Sequence, residues 1–118
     1  MANQDPKETW FLAQLKPNCA SIADANLKRQ GFRTFFPLEE RTRQQNGRFV
    51  TALRPLFPGY LFVAFDVGLG LWRAVNSTYG VTKLVSFGAR PAAVPHALVE
   101  LLMFRCDSRG KWCPQSLL

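Results

Sequence analysis

The run Pro55-Leu56-Phe57-Pro58-Gly59-Tyr60-Leu61-Phe62-Val63-Ala64-Phe65 most constrains the fold, because a turn stiffened by two prolines feeds directly into an apolar, aromatic segment. Alternate residues of a strand point to opposite sides, so Tyr60, Phe62 and Ala64 line one face and Leu61, Val63 and Phe65 the other. An antiparallel sheet with one wet face alternates apolar and polar residues, whereas a run apolar on both sides needs cover on both. Two arrangements supply it: helices on both faces, or a partner molecule on one.

The flanking sequence supplies further elements. Trp10 to Lys16 reads as a strand with Trp10, Leu12 and Gln14 on one side, and Pro17 ends it. Asn18 is a candidate N-cap for a helix over 19–30, with Gly31 as its stop. Ala20, Ala23 and Leu27 make a narrow stripe of small residues facing a sheet, and Ile22 falls off it into solvent. Phe32 to Phe36 is a second strand. Residues 39–54 form a polar hairpin around Gln45-Asn46-Gly47, carrying Arg41, Arg43, Arg48 and Arg54. After the organising strand come a short helix over 71–75, a strand over 81–87, and a helix from His96 to about Arg105 marked by Leu98, Leu101 and Leu102, with Pro95 at its start. The order β-α-β-β-β-α-β-α predicts an α+β domain, a mainly antiparallel sheet of four to five strands flanked by about three helices. It spans 9–106, after a disordered tail at 1–8. Asp107-Ser108-Arg109-Gly110-Lys111 opens a linker-like tail, 107–118, expected to lead into a further domain.

Composition narrows the function. The chain has 118 residues, 47% of them apolar, and no stretch approaching the roughly 20 apolar residues a membrane span requires. With no secretory signal at the start, it reads as a cytoplasmic protein with no membrane partner. Three irregularly spaced cysteines, Cys19, Cys106 and Cys113, suggest neither a disulfide framework nor a zinc site. One histidine, His96, leaves few ways to build a triad or a metal centre, so no cofactor and no metal are expected. The net charge is +7, with residues 26–65 contributing +5 and residues 66–118 contributing +3. Such a balance suits an anionic partner such as nucleic acid, or simply a solvated face.

The motif Pro55 to Val63 resembles the signature of the NusG N-terminal domain of transcription elongation and antitermination factors. Trp10-Phe11, then Val75-Asn76-Ser77-Thr78-Tyr79-Gly80-Val81, then Phe87-Gly88 and Val94-Pro95 match in the same order. Ser86-Phe87-Gly88, Pro91-Ala92 and Val94-Pro95 resemble RfaH-type specialised paralogues more than the housekeeping factor. The resemblance implies a monomeric domain, without catalytic residues, that binds the clamp helices of the RNA polymerase β′ subunit and bridges the DNA channel to the β gate loop, suppressing pausing. It also implies a C-terminal KOW domain beyond the tail. Carried over by position, clamp contacts fall on Leu12, Gln14, Phe57, Tyr60, Phe62, Val99 and Leu102, so that a partner helix covers the Tyr60 face. Phe62 has a second reading, as core. Gate-loop contact falls on Leu71, Trp72 and Arg73, where RfaH-type proteins carry a histidine followed by threonines. Lys16, Arg73, Asn76 and Tyr79 are placed to meet the exposed non-template DNA strand, through cation attraction and ring stacking.

Two other classes compete. A basic α+β domain with two aromatics on a sheet could be an RNA-recognition module stacking single-stranded bases on Tyr60 and Phe62, although the basic, glycine-rich pattern of such modules is missing. An enzyme would have to rest on Cys19 as a thiolate at a helix start, with no histidine near it in sequence.

Overall fold

The computed structural model describes residues 8–108 and 110–112. Most of the expected tails, 1–7 and 113–118, lie outside the described residues. Glu8, expected in the first tail, is instead the first residue of β1.

Five strands form the central antiparallel sheet: β1 (Glu8–Leu15), β2 (Arg33–Phe35), β5 (Tyr60–Asp66), β6 (Val81–Leu84) and β9 (Ala93–Val94). Four of them run in the order β2-β5-β1-β6, and β9 pairs with β1. The organising strand β5 lies against β1 along its whole length, from Glu8 opposite Asp66 to Gln14 opposite Tyr60. Directly opposed residues share a face. One face therefore carries Phe11, Ala13, Leu15, Leu61, Val63 and Phe65, and the other Trp10, Leu12, Gln14, Tyr60, Phe62 and Ala64.

Helices α1 (Ala20–Arg29) and α2 (Trp72–Asn76) cover the first face. Ala23, Leu27 and Val75 are fully buried there with Leu61, Val63 and Phe65. The Phe11 ring stacks on Phe65 at 4.5 Å, and Phe32 meets Phe65 edge-on. Small side chains let α1 lie close, as the sequence stripe predicts, and Ile22 is exposed. Helix α1 ends in a Schellman arrangement, in which Phe32 N–H donates to the Leu27 carbonyl and Gly31 N–H to that of Lys28. Its start differs from expectation. Cys19 is the cap residue and no side chain caps it, while Asn18 sits at φ 59°. Cys19 N–H donates to the Lys16 carbonyl, so Pro17-Asn18 form the middle of a tight turn of type II pattern, and the turn claims Asn18.

Helix α3 (His96–Phe104) covers part of the second face. Val99 is buried with Trp10, Phe62 and Ala64, and Leu102 and Met103 pack around them. Leu98 and Leu101, which mark the helix in the sequence, are exposed. Leucine content was a poor guide because Val99 is the fully buried residue of the helix, with Leu102 and Met103 only partly buried beside it.

The expected strand over 81–87 breaks after Leu84. Val85 N–H still bonds to the Leu12 carbonyl, and then β7 (Ser86–Phe87) and β8 (Arg90–Pro91) form a separate small hairpin. A longer hairpin, β3 (Leu38–Gln45) with β4 (Arg48–Pro55), turns through Asn46 and Gly47 at φ 54° and 79°, the type I′ geometry that an Asn-Gly pair favours. The part of the expected linker that is described is a hydrogen-bonded turn. Leu38 N–H donates to the Gly110 carbonyl, Trp112 N–H to the Leu38 carbonyl, and Lys111 N–H to Asp107 Oδ1.

Candidate functional site

The double-proline motif folds into a turn. Tyr60 N–H donates to the Phe57 carbonyl at 3.1 Å, Pro58 takes the second position, and Gly59, at φ 87°, takes the third, where a type II turn needs positive φ. The Gly59 carbonyl accepts from Leu15 N–H at 2.8 Å. Thr78-Tyr79-Gly80-Val81 repeats the pattern, with Gly80 at φ 96° accepting from Lys16 N–H at 2.9 Å. Both glycine turns thus hang from the end of β1, and each projects an aromatic residue.

Beside the first turn, Phe57 and Tyr60 are 39% and 36% exposed, while Gln14, Leu12 and Leu102 are half-buried. Phe62 and Val99 correct the sequence reading. Phe62 is 4% exposed, enclosed by Phe57, Phe35 and α3, and Val99 is 0% exposed. Neither offers a face to a visitor. The chain's own helix covers the Phe62 and Ala64 end of this face and leaves the Tyr60 end open. Lys83, directly opposite Gln14 and exposed, joins that open end. It was not legible in the sequence because a bulge at Gln14/Leu15 sets its register.

The stacking alternative loses one of its two platform rings with Phe62. Trp10 adds nothing to such a platform, since it is 2% exposed and Arg33 lies over its ring at 5.2 Å while also bonding Glu8 at 2.8 Å.

At the second turn, Tyr79 is 65% exposed and the exposed Lys16 follows from the shared hydrogen bond. Arg73 is exposed, and its guanidinium lies 5.1 Å over the Trp72 ring. Leu71 and Trp72 are half-buried against the core. Asn76 departs from the expectation of a free DNA contact: its Oδ1 accepts from Leu84 N–H at 2.8 Å, tying α2 to β6. Thr9, Phe11, Val67, Trp72, Arg90 and Pro91 line a mainly apolar recess beside α2. Cys19 lies half-buried in the wall of another recess, with Lys16, Ser21 and Phe36.

An antiparallel sheet covered by helices, with paired glycine turns presenting aromatic and basic residues at one end, defines an α+β domain; no helix among the described residues is long and apolar enough to cross a membrane. Residues 8–103 match the family model described as transcription termination factor nusG. The chain belongs to the NusG family. It is 34% identical over 89 residues to the transcription termination/antitermination protein NusG of Staphylococcus aureus strain Mu50, and equally to that of strain N315, covering 75% of this chain and 49% of each relative. The chain therefore spans about half the length of these curated relatives. A solved structure titled "Domain interaction in Thermotoga maritima NusG" aligns over 76% of this chain and 52% of that one, with a TM-score of 0.54 at 20% identity, and so shares the fold.

Proposed function

We propose that this domain is a cytoplasmic transcription elongation and antitermination factor module that docks on the clamp helices of the RNA polymerase β′ subunit. Phe57, Tyr60, Leu12, Gln14 and Leu102 form the docking surface, with Phe62 and Val99 as its buried support. The observation that carries this reading is the pair of partly exposed rings, Phe57 and Tyr60, at the one end of the sheet face that α3 leaves open. Desolvated aromatic anchors dominate interface energies, and the best of them cost about 2 kcal/mol or more when truncated.

On the opposite side Trp72 and Arg73, next to the half-buried Leu71, reach the β gate loop, and Lys16, Arg73 and Tyr79 meet the exposed non-template strand. Asn76 contributes by holding α2 in place. Spanning the two jaws favours the closed, elongating polymerase over its paused form. A preference of about 1.4 kcal/mol changes that ratio tenfold, enough to suppress pausing without any catalytic step. The motif around Ser86-Phe87-Gly88 supports a specialised, RfaH-like member of the family.

Comigration with a purified core elongation complex tests the docking. The wild-type chain should bind and be displaced by a clamp-helix peptide, and a Phe57→Ala/Tyr60→Ala variant that keeps its circular dichroism should not bind. Normal binding by the folded double variant would overturn the proposed surface.

A further inference from the structure

We propose that the recess beside α2 is a peptide-docking site: it takes an apolar side chain of a partner segment, while Arg73 and Arg90 beside it hold acidic residues flanking that side chain. Four separate segments build it. Thr9 and Phe11 come from β1, Val67 from the 3₁₀ turn at Val67–Leu69, Trp72 from α2, and Arg90 and Pro91 from β8. The recess has a volume of about 530 Å³, within the roughly 300–1,000 Å³ of ligand pockets, and its lining is mainly apolar.

Charge decides what flanks the apolar anchor. Arg73 and Arg90 are exposed, neither has an acidic partner among the described residues, and no acid is among the described lining residues. Glu8 and Asp66, the acids that follow or precede the lining residues on β1 and β5, oppose each other on the Trp10 face of the sheet, away from Thr9 and Phe11. Glu8 is paired with Arg33 at 2.8 Å, and Asp66 Oδ1 accepts from Gly68 N–H. A carboxylate arriving at the recess therefore meets two cations and no competing acid.

The lining favours a peptide over a nucleic acid. An unpaired base needs an open ring to stack on and hydrogen-bonding groups for its edge. Here the Arg73 guanidinium lies 5.1 Å over the Trp72 ring, which itself packs on the core, and the Thr9 hydroxyl and Trp72 indole N–H are the uncharged polar side-chain groups among the described lining residues. Val67 and Leu69, 48% and 69% exposed on one turn, add apolar surface for the arriving segment to cover around its anchor. The proposal deepens the reading of Trp72 and Arg73 as a polymerase contact and rests on it for where the partner comes from; Arg90 and the acidic, apolar chemistry go beyond it.

The test is fluorescence anisotropy of a labelled octapeptide, a phenylalanine-leucine pair flanked by aspartates, titrated with the whole chain. No polymerase is present, so failure here is distinct from failure of the comigration test. The wild-type chain should bind the peptide, and more weakly as salt rises. Arg73→Gln and Arg90→Gln should each weaken binding about tenfold, the worth of one charge-assisted hydrogen bond, while Lys28→Gln, at an exposed cation of α1, should leave it unchanged. Asparagine in place of the peptide's aspartates, or alanine in place of its apolar pair, should weaken binding by about tenfold or more; these peptides carry the test should an arginine variant lose its circular dichroism. Absence of wild-type binding, unchanged affinity in the folded arginine variants or for either altered peptide, or a loss with Lys28→Gln as large as theirs would overturn the proposal. So would displacement of the peptide by a short single-stranded oligonucleotide at lower concentration than by unlabelled peptide.

Discussion

The Phe57 ring stands edge-on to the Phe62 ring, centroids 5.8 Å apart at 81°, the first 39% exposed and the second 4%. The proposed docking surface is thus the outer layer of a core cluster, and the two rings of one motif divide the work. Phe62→Ala opens a cavity among Trp10, Phe35 and Val99 and should cost about 3–5 kcal/mol in urea unfolding. Phe57→Ala should cost less than half of that while weakening polymerase binding more than stability. Equal losses of stability would show that Phe57 is core.

Gly59 and Gly80 hold equivalent turn positions in unequal surroundings. A Cβ at Gly59 meets nothing within 4 Å, whereas one at Gly80 lies 3.0 Å from Ala23 Cβ and 3.1 Å from Ala23 N. Gly59→Ala should carry only the strain of a positive φ, about 1–3 kcal/mol. Gly80→Ala adds a clash with the backbone of α1, worth about a further 1–3 kcal/mol. Thermal unfolding of the two variants should rank them in that order.

Much of this architecture was legible in the sequence because it rests on local rules. Proline before glycine marked the first turn, two-sided apolarity marked β5 as covered, and Ala23 and Leu27 gave the sheet-facing side of α1. What escaped depends on contacts between distant segments. Phe62 and Tyr60 look alike in an alternating pattern, and only the packing of Val99 from α3 seals one and leaves the other open. The resemblance to a family motif marked Phe62 and Val99 as contacts, but position in a motif does not distinguish a contact from its support. The sorting of Arg41, Arg43, Arg48 and Arg54 onto one face of the β3–β4 hairpin escaped for the same reason, since it follows from register and not from composition.

Asn76 separates a fold role from a DNA role. Its Oδ1 accepts the N–H of Leu84, a residue 1% exposed, and Asn76→Ala leaves that donor unsatisfied at a cost of about 1–3 kcal/mol. Asn76→Asp keeps an acceptor in place and should retain most of the stability. If the alanine variant unfolds at the wild-type urea concentration, the side chain is free for DNA and the tie between α2 and β6 is unimportant.

The domain should end after Trp112 instead of at Cys106. Following α3, the chain turns through Asp107, whose carboxylate accepts from Lys111 N–H at 2.9 Å, and returns to the base of the β3–β4 hairpin. There Gly110 accepts from Leu38 N–H at 2.9 Å and Trp112 N–H donates to the Leu38 carbonyl at 2.7 Å. Each such bond contributes about 0.5–1.5 kcal/mol, so a chain stopped after Cys106 should be less stable than one stopped after Trp112 by roughly 1–3 kcal/mol. Because the lost bonds lie at Leu38, hydrogen exchange should rise first at the base of the β3–β4 hairpin and leave β1 and β5 protected. Equal stability of the two truncated chains, with unchanged exchange at Leu38, would return residues 107–112 to the role of a linker.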